Sequence, residues 1–258
     1  MDRVAVESLL RDSVMVQPSI PPSPLDKSPR VISGMFDDIA GRYDVLNRLL
    51  SAGRDRVWRS RAVEALELQG SETVLDLCTG TADLALALAS FKGYADRVVG
   101  VDFSSEMLRR GHAKIRKVRP TGSIYLLRGD AEQIPLCDGV ADGVSIGFGI
   151  RNVAKPQKVL AEIRRVLRPG GRLVILEFGE PKLAAVRAAY LWYFHRLLPL
   201  IGKMVSRHRS AYTYLPASVG AFHAPSAFCE LLEQTGFTHV HVNPLTFGIV
   251  YLYSALRD

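Results

Sequence analysis

The sequence predicts an α/β fold: a doubly wound, mostly parallel sheet of seven strands ending in an antiparallel hairpin. Three observations carry this. Short apolar runs alternate with segments of helical period, the pattern of stacked βαβ units. Carboxylates and glycine-bearing turns stand at the ends of those runs, where an open parallel sheet leaves its ligand crevice. The composition, 48% hydrophobic and 23% charged over 258 residues, is that of an ordinary folded protein able to bury a sizeable core. It excludes global disorder, a collagen and a disulfide scaffold. Cys78, Cys137 and Cys229 lie far apart with no Cys-x-x-Cys spacing, so neither a zinc knuckle nor a redox pair is expected, and a reducing cytoplasm is the expected compartment.

Taken in order, residues 1–30 have balanced charge and no long apolar core, and they crowd Pro18, Pro21, Pro22, Pro24 and Pro29. They read as a mobile tail rather than a signal peptide. Residues 31–69 form a helical cap, with helices around Ile39 to Leu50 and Arg56 to Leu66. Strands follow at Thr73–Leu77, Arg97–Val101, Ser123–Leu127, Gly143–Gly147 and Arg172–Glu177, separated by helical patterns near 83–91, 104–118 and 156–167. A helix over Ala224–Thr235 and two strands, His239–Val242 and Ile249–Ala255, close the chain. No repeat of 20 to 50 residues is visible, so residues 31–258 are expected to form one domain.

Net charge is +7, and its distribution is uneven. From Pro181 to Cys229 there is no acidic residue, while Lys182, Arg187, Arg196, Lys203, Arg207 and Arg209 stand among Tyr190, Trp192, Tyr193, Phe194, Tyr212 and Tyr214. This mixture suits a lipid headgroup boundary or an acidic polymer. Leu183–Gly202 is mostly apolar but carries Arg187, His195, Arg196 and Pro199. A central Arg costs about 2.5 to 3.5 kcal/mol on insertion scales, so a buried or interfacial helix is expected rather than a membrane span.

The chemistry gathers at the strand ends. The first strand runs through Asp76 into Cys78-Thr79-Gly80-Thr81, where Gly80 lets the backbone approach a ligand closely. Of the three glycines of a dinucleotide fingerprint only Gly80 is present. Asp102 ends the second strand, where a carboxylate can accept both hydroxyls of a ribose; alternatively it starts the next helix, with Ser104 or Ser105 as the better caps. Asp130, ending the third strand, can accept from an exocyclic amine such as that of adenine, or sit in a surface turn. Two acids at consecutive strand ends with no phosphate cradle between them point to a nucleoside without a pyrophosphate, S-adenosyl-L-methionine rather than NAD. After the fourth strand, Arg151 and Asn152 lie in a glycine-flanked loop, and the Arg fork suits an anionic oxygen or a loop salt bridge. Arg168-Pro169-Gly170-Gly171 is structural punctuation.

From Val31 to Leu256 the chain resembles the quinone C-methyltransferases of ubiquinone and menaquinone biosynthesis (UbiE/MenG-like). The resemblance rests on Met35 through Asn47, Gly53 through Arg59, Asp130 through Pro135, Phe148 through Val153, Arg165 through Gly171 with Leu176-Glu177-Phe178, Tyr212 through Leu215 and Thr235-Gly236-Phe237. It departs from the family at the glycine-poor first loop, at Gly147, at the basic Arg207-His208-Arg209 and at Tyr253.

The resemblance implies a Rossmann-like class I methyltransferase that moves a methyl group from S-adenosylmethionine to a ring carbon of a polyprenylated quinol, with the menaquinone precursor as expected acceptor and a benzoquinol as the alternative. Carried over by position, cofactor contacts fall on Thr81, Asp102, Asp130 and Ala131, beside Asp76 and Gly80 of the first loop, and Tyr43, Arg151 and Asn152 match the reacting end. Arg151 is expected to steady a phenolate, Asn152 to orient it, and Tyr43 to bond the other quinol oxygen; water, His195 or His223 takes the ring proton. The 181–229 segment is the expected lid, tail-binding and membrane-facing patch. No metal and no nucleic-acid partner are expected, and a homo-oligomer is compatible with the sequence. The competing classes are a catalytically silent quinone or lipid binder and a nucleic-acid methyltransferase.

Overall fold

In the computed structural model, residues 27–90, 95–192 and 210–258 are described. The chain begins with three helices, α1 (Pro29–Ile39), α2 (Tyr43–Leu50) and α3 (Asp55–Ala65). The helix expected around Ile39–Leu50 starts later, at Tyr43: α1, which precedes it, ends at Ile39, and a turn over Ala40-Gly41-Arg42 redirects the chain. Gly41 passes so near the helix bearing Arg110 that a Cβ there would sit 3.1 Å from Arg110 Nη2. Helix α1 also begins inside the expected tail, with Pro29 in its first turn, where the missing N–H is no loss.

The sheet then forms from β1 (Thr73–Leu77), β2 (Arg97–Asp102), β3 (Ser123–Arg128), β4 (Ala141–Gly147), β5 (Leu167–Phe178), β6 (Phe237–Leu245) and β7 (Val250–Arg257). Its order is β3-β2-β1-β4-β5-β7-β6. Strands β1 to β5 are parallel, and β7 inserts antiparallel between β5 and β6. Between them run α4 (Asp83–Ser90), α5 (Ser105–Val118), α6 (Pro156–Val166), α7 (Ala184–Trp192), α8 (Ser210–Gly220) and α9 (Pro225–Gln234). Strand β5 starts five residues earlier than its apolar pattern suggests, because Leu167 pairs with Ala141 across an irregularity and carries the Pro169-Gly170-Gly171 turn into the strand. Gly170, at φ +75°, supplies the left-handed residue of that turn.

Strand alternation divides the core in two. Leu75, Leu77, Val144 and Ile146 face Val159, Leu160 and Ile163 of α6 and Phe228 of α9. Val74, Val98, Val174 and Leu176 face Trp58 and Val63 of α3 and Leu84 and Leu88 of α4. A sheet buried on both faces reads as continuous apolar runs, which is why the sequence shows them so plainly. The strand order reverses at β1, between β2 and β4, so the loops after β1, β2 and β4 open a crevice at their carboxyl ends. Residues 193–209, which hold Tyr193, Phe194, Arg196, Lys203, Arg207 and Arg209 of the expected lid, lie outside the described residues. Among the described residues no helix is long and apolar enough to cross a membrane.

Candidate active site

The loop after β1 is strained toward the crevice. Cys78, Gly80 and Ala82 all have positive φ (56°, 54° and 65°), a conformation that costs a non-glycine residue about 1–3 kcal/mol. At Gly80 a side chain would point into open space, so the backbone alone lines the crevice there. Gly149 shows the opposite need: a Cβ would lie 2.5 Å from that of Cys78, so only glycine lets the β1 and β4 loops meet.

Asp102 faces this crevice from the end of β2. Its Oδ2 accepts from the Gly80 backbone N–H at 2.8 Å and its Oδ1 from that of Ser104 at 2.9 Å. Burial pushes the carboxyl above the ordinary Asp value, and these backbone hydrogen bonds pull the other way. Each oxygen keeps lone-pair capacity for a ribose hydroxyl. Helix capping falls to Ser104, whose Oγ accepts from Met107 N–H at 3.1 Å, so Asp102 is left for a ligand. Asp130 and Ala131 line the same crevice, and Asp130 Oδ1 accepts from Glu132 N–H at 2.8 Å in a tight turn. Carboxylates and backbone at these positions fit an adenosine, and the acids complement a sulfonium.

Two expected cofactor residues point elsewhere. Asp76, paired in register with Ser145, is buried under the loop, and its oxygens take Thr79 Oγ1–H (2.5 Å) and Ser145 Oγ–H (2.7 Å). Burial pushes its carboxyl up to about 6, against the pull of those two hydroxyls. It braces the loop from beneath and does not line the crevice. The Thr81 hydroxyl donates to Asp44 Oδ1 at 2.6 Å and accepts from Lys114 Nζ at 3.0 Å, fastening α2 to the core. Lys114 also pairs with Asp44 (2.7 Å) and Asp83 (2.5 Å). Strand position gives a residue's height in the sheet; its facing follows from the register and the loop, which sequence does not show.

Beyond the crevice lies an apolar chamber of about 390 Å³, lined by α1 to α3, the β4 and β5 ends, α7 and α8. Phe36, Tyr43 and Phe148 border both spaces. Phe148, itself at φ +61°, stacks 4.6 Å from Phe178, and Trp58 closes the aromatic wall while its indole N–H donates to Thr246 Oγ1 at 2.8 Å.

Arg151 lines the chamber and Asn152 the crevice. The guanidinium is not alone. Nη1 donates to Glu177 Oε1 at 2.7 Å and to Phe148 O at 2.6 Å, and the Arg151 backbone N–H donates to Glu177 Oε2 at 3.1 Å. Glu177 is fully buried and also accepts from Phe178 N–H at 2.9 Å. Burial alone would lower the guanidinium pKa, yet Glu177 holds it above the ordinary Arg value. Burial of the hydroxyl end pushes Tyr43 up, opposed by Asn47, Arg151 and Arg59, so its phenol stays protonated. Glu177 had only its place in a motif to mark it, although a carboxylate ending an otherwise apolar strand is itself a signal. His223 packs on Phe222 and Phe228 and lines neither space; His195 lies outside the described residues.

The fold recurs in solved structures. An S-adenosylmethionine-dependent methyltransferase from Aquifex aeolicus superposes with TM-score 0.59 at 18% identity, covering 83% of this chain and 98% of that one. The [4+2]-cyclase SpnF reaches TM-score 0.64 at 15% identity, covering 94% and 99%, so architecture alone does not fix the reaction. Sequence relatives are nearer. A protein of Syntrophotalea carbinolica named ubiquinone/menaquinone biosynthesis C-methyltransferase is 48% identical over 87% of this chain and 93% of its own length. A demethylmenaquinone methyltransferase of Thermus thermophilus is 46% identical over 85% and 98%. The sequence model of the ubiE/COQ5 methyltransferase family matches residues 25–257, and with these relatives it establishes that the chain belongs to that family.

Proposed function

We propose that the protein transfers the methyl group of S-adenosylmethionine to a ring carbon of a polyprenylated naphthoquinol, completing a menaquinol ring. The observation that carries this reading is the shared wall: an adenosine-fitting crevice and an apolar chamber meet at Phe36, Tyr43 and Phe148. The bound cofactor supplies an activated methyl on a positive sulfur. Asp102 and Asp130 would hold its ribose and base, with the open backbone at Gly80 beside them. The aromatic surface of Phe148, Phe178 and Trp58 suits a bicyclic ring, and names of relatives in Thermus thermophilus and Bacillus cereus support that acceptor.

A quinol carbon becomes nucleophilic as the neighbouring hydroxyl gives its proton to water at the chamber mouth; the new carbon–carbon bond replaces the methyl–sulfur bond, and water takes the ring proton afterwards. Arg151, kept protonated by Glu177, donates to the phenolate oxygen and cannot serve as a base. Tyr43, also protonated, donates to the second oxygen. The mainly apolar lining of the chamber suits the ring, and a fixed geometry supplies much of the acceleration. Val186, Tyr190 and Leu215 extend the chamber toward the prenyl tail, and the basic residues of 181–229 support contact with anionic headgroups. Neutralising Arg207 and Arg209 lowers binding to anionic vesicles if that contact exists; equal binding removes it.

The test is incubation of pure protein with methyl-labelled cofactor and prenylated naphthoquinol or benzoquinol. Label is expected on a ring carbon of the naphthoquinol. Arg151→Ala lowers this rate by about 100-fold, in the range of a lost oxyanion donor, with cofactor affinity nearly unchanged. An active Arg151→Ala enzyme removes the residue from the mechanism, and label on neither quinol removes the function.

A further inference from the structure

We propose that Tyr214 is a positioning residue for methyl transfer, fixing Asn152 and coupling occupancy of the chamber to the donor crevice. The inference rests on the reading above and adds a residue to it.

Tyr214 lies on α8, inside the acid-free segment, and its ring is buried against the chamber. Its hydroxyl donates to Asn152 Oδ1 at 3.2 Å. Asn152 belongs to the other space, the donor crevice, and sits in the short 3-10 turn Ile150–Asn152 that also carries Arg151. The hydrogen bond therefore crosses the boundary between substrate and donor. It also restrains the Asn152 carboxamide. Phe148 O can only accept and lies 3.5 Å from Nδ2, which selects the orientation, but that contact is too long to hold the amide by itself. Loss of the Tyr214 O–H leaves only that long contact, so the amide loosens.

The phenol also belongs to the charge pattern around the reacting end. Burial pushes Tyr214 above the ordinary Tyr value, Arg151 pulls it down and Glu177 raises it. The hydroxyl stays protonated and keeps a lone pair for a hydrogen bond from the quinol O–H. A quinol so bound polarises Tyr214 toward Asn152, and a nucleoside bound against Asn152 does the reverse; linkage makes the effect reciprocal. Helix α8 packs on the 3-10 turn and on α1, so the same bond ties the 210–220 helix to the turn bearing Arg151.

The test is a double-mutant cycle of Tyr214→Phe and Asn152→Ala on the full chain, read in two ways. Tyr214→Phe keeps the ring and its packing and removes only the oxygen. The first reading is calorimetric affinity for S-adenosylhomocysteine, which needs no quinol. Tyr214→Phe weakens it by about 3- to 10-fold, the value of one hydrogen bond, and the double variant is no weaker than Asn152→Ala alone. The second is turnover, in which kcat falls in Tyr214→Phe while KM for the quinol changes by less than about threefold. A tyrosine that only walls the chamber leaves nucleoside affinity untouched. Wild-type affinity in Tyr214→Phe, or additive losses in the double variant, overturns the proposal. An inactive wild type with an intact affinity cycle instead refutes the quinol reading and leaves the coupling standing.

Discussion

Replacing Glu177 by Ala is predicted to destabilise the fold more than any other single change at the site. The carboxylate has no solvent exposure and accepts three N–H groups: Arg151 Nη1 at 2.7 Å, Phe178 N at 2.9 Å and Arg151 N at 3.1 Å. Its removal strands a guanidinium whose side chain is 8% exposed and whose Nε has no partner among the described residues. A buried ion broken in this way costs about 3–5 kcal/mol. At about 2–4 °C per kcal/mol for a chain of this size, thermal unfolding falls by about 10 °C. Glu177→Gln is milder, about 1–3 kcal/mol, because one acceptor survives while the amide N–H₂ meets the Arg151 backbone N–H. The double variant Arg151→Met with Glu177→Leu recovers part of the loss, since neither charge is then buried alone. Urea and thermal melts of wild type and these three variants measure this. A Glu177→Ala protein within about 1 kcal/mol of wild type, or a double variant no more stable than Glu177→Ala, refutes the pairing argument.

Two further outcomes follow from the crevice. Asp102→Ala weakens S-adenosylhomocysteine by about 10- to 100-fold, the loss of one or two charge-assisted hydrogen bonds, and calorimetry reads it directly; an unchanged affinity places the ribose elsewhere. Asp76 sits at about 6 when folded against 3.8 as a free side chain. A carboxyl raised on folding contributes stability that is full below about pH 4 and lost as pH rises through about 6. Asp76→Asn lacks that term, so its stability relative to wild type improves by about 2 kcal/mol between pH 4 and pH 7. A difference independent of pH in urea melts contradicts the burial of this carboxyl as a titrating group.

The parts of the molecule legible in sequence are those governed by local pattern. The five parallel strands stand out because both faces of the sheet are buried, and β6 and β7 because a turn-rich segment separates them. Asp102, Asp130 and Gly80 were legible because strand ends carry the crevice of an open sheet. Facing was not legible. Asp76 and Thr81 share that loop, yet one braces it from below and the other binds α2, because Ser145 and Asp44 reach them from 69 and 37 residues away. Arg151 was readable as a fork for a negative oxygen or as a loop salt bridge; the structure shows the salt bridge, and its partner Glu177, on a neighbouring strand, was not legible. Phe148 gave no sign of being the wall between two spaces, since a left-handed aromatic residue looks like any other in a list of letters. The turn at Ala40–Arg42 was hidden because helical period continues across it.

The most direct measurement is a crystal structure with S-adenosylhomocysteine and a short-chain naphthoquinol soaked together. The ribose hydroxyls are expected on Asp102, the base beside Asp130 and Ala131, the sulfur at the Phe148 and Tyr43 wall, and a ring oxygen within hydrogen-bond distance of Arg151. A nucleoside bound outside this crevice, or a chamber collapsed by its own side chains with the ring excluded, contradicts the account.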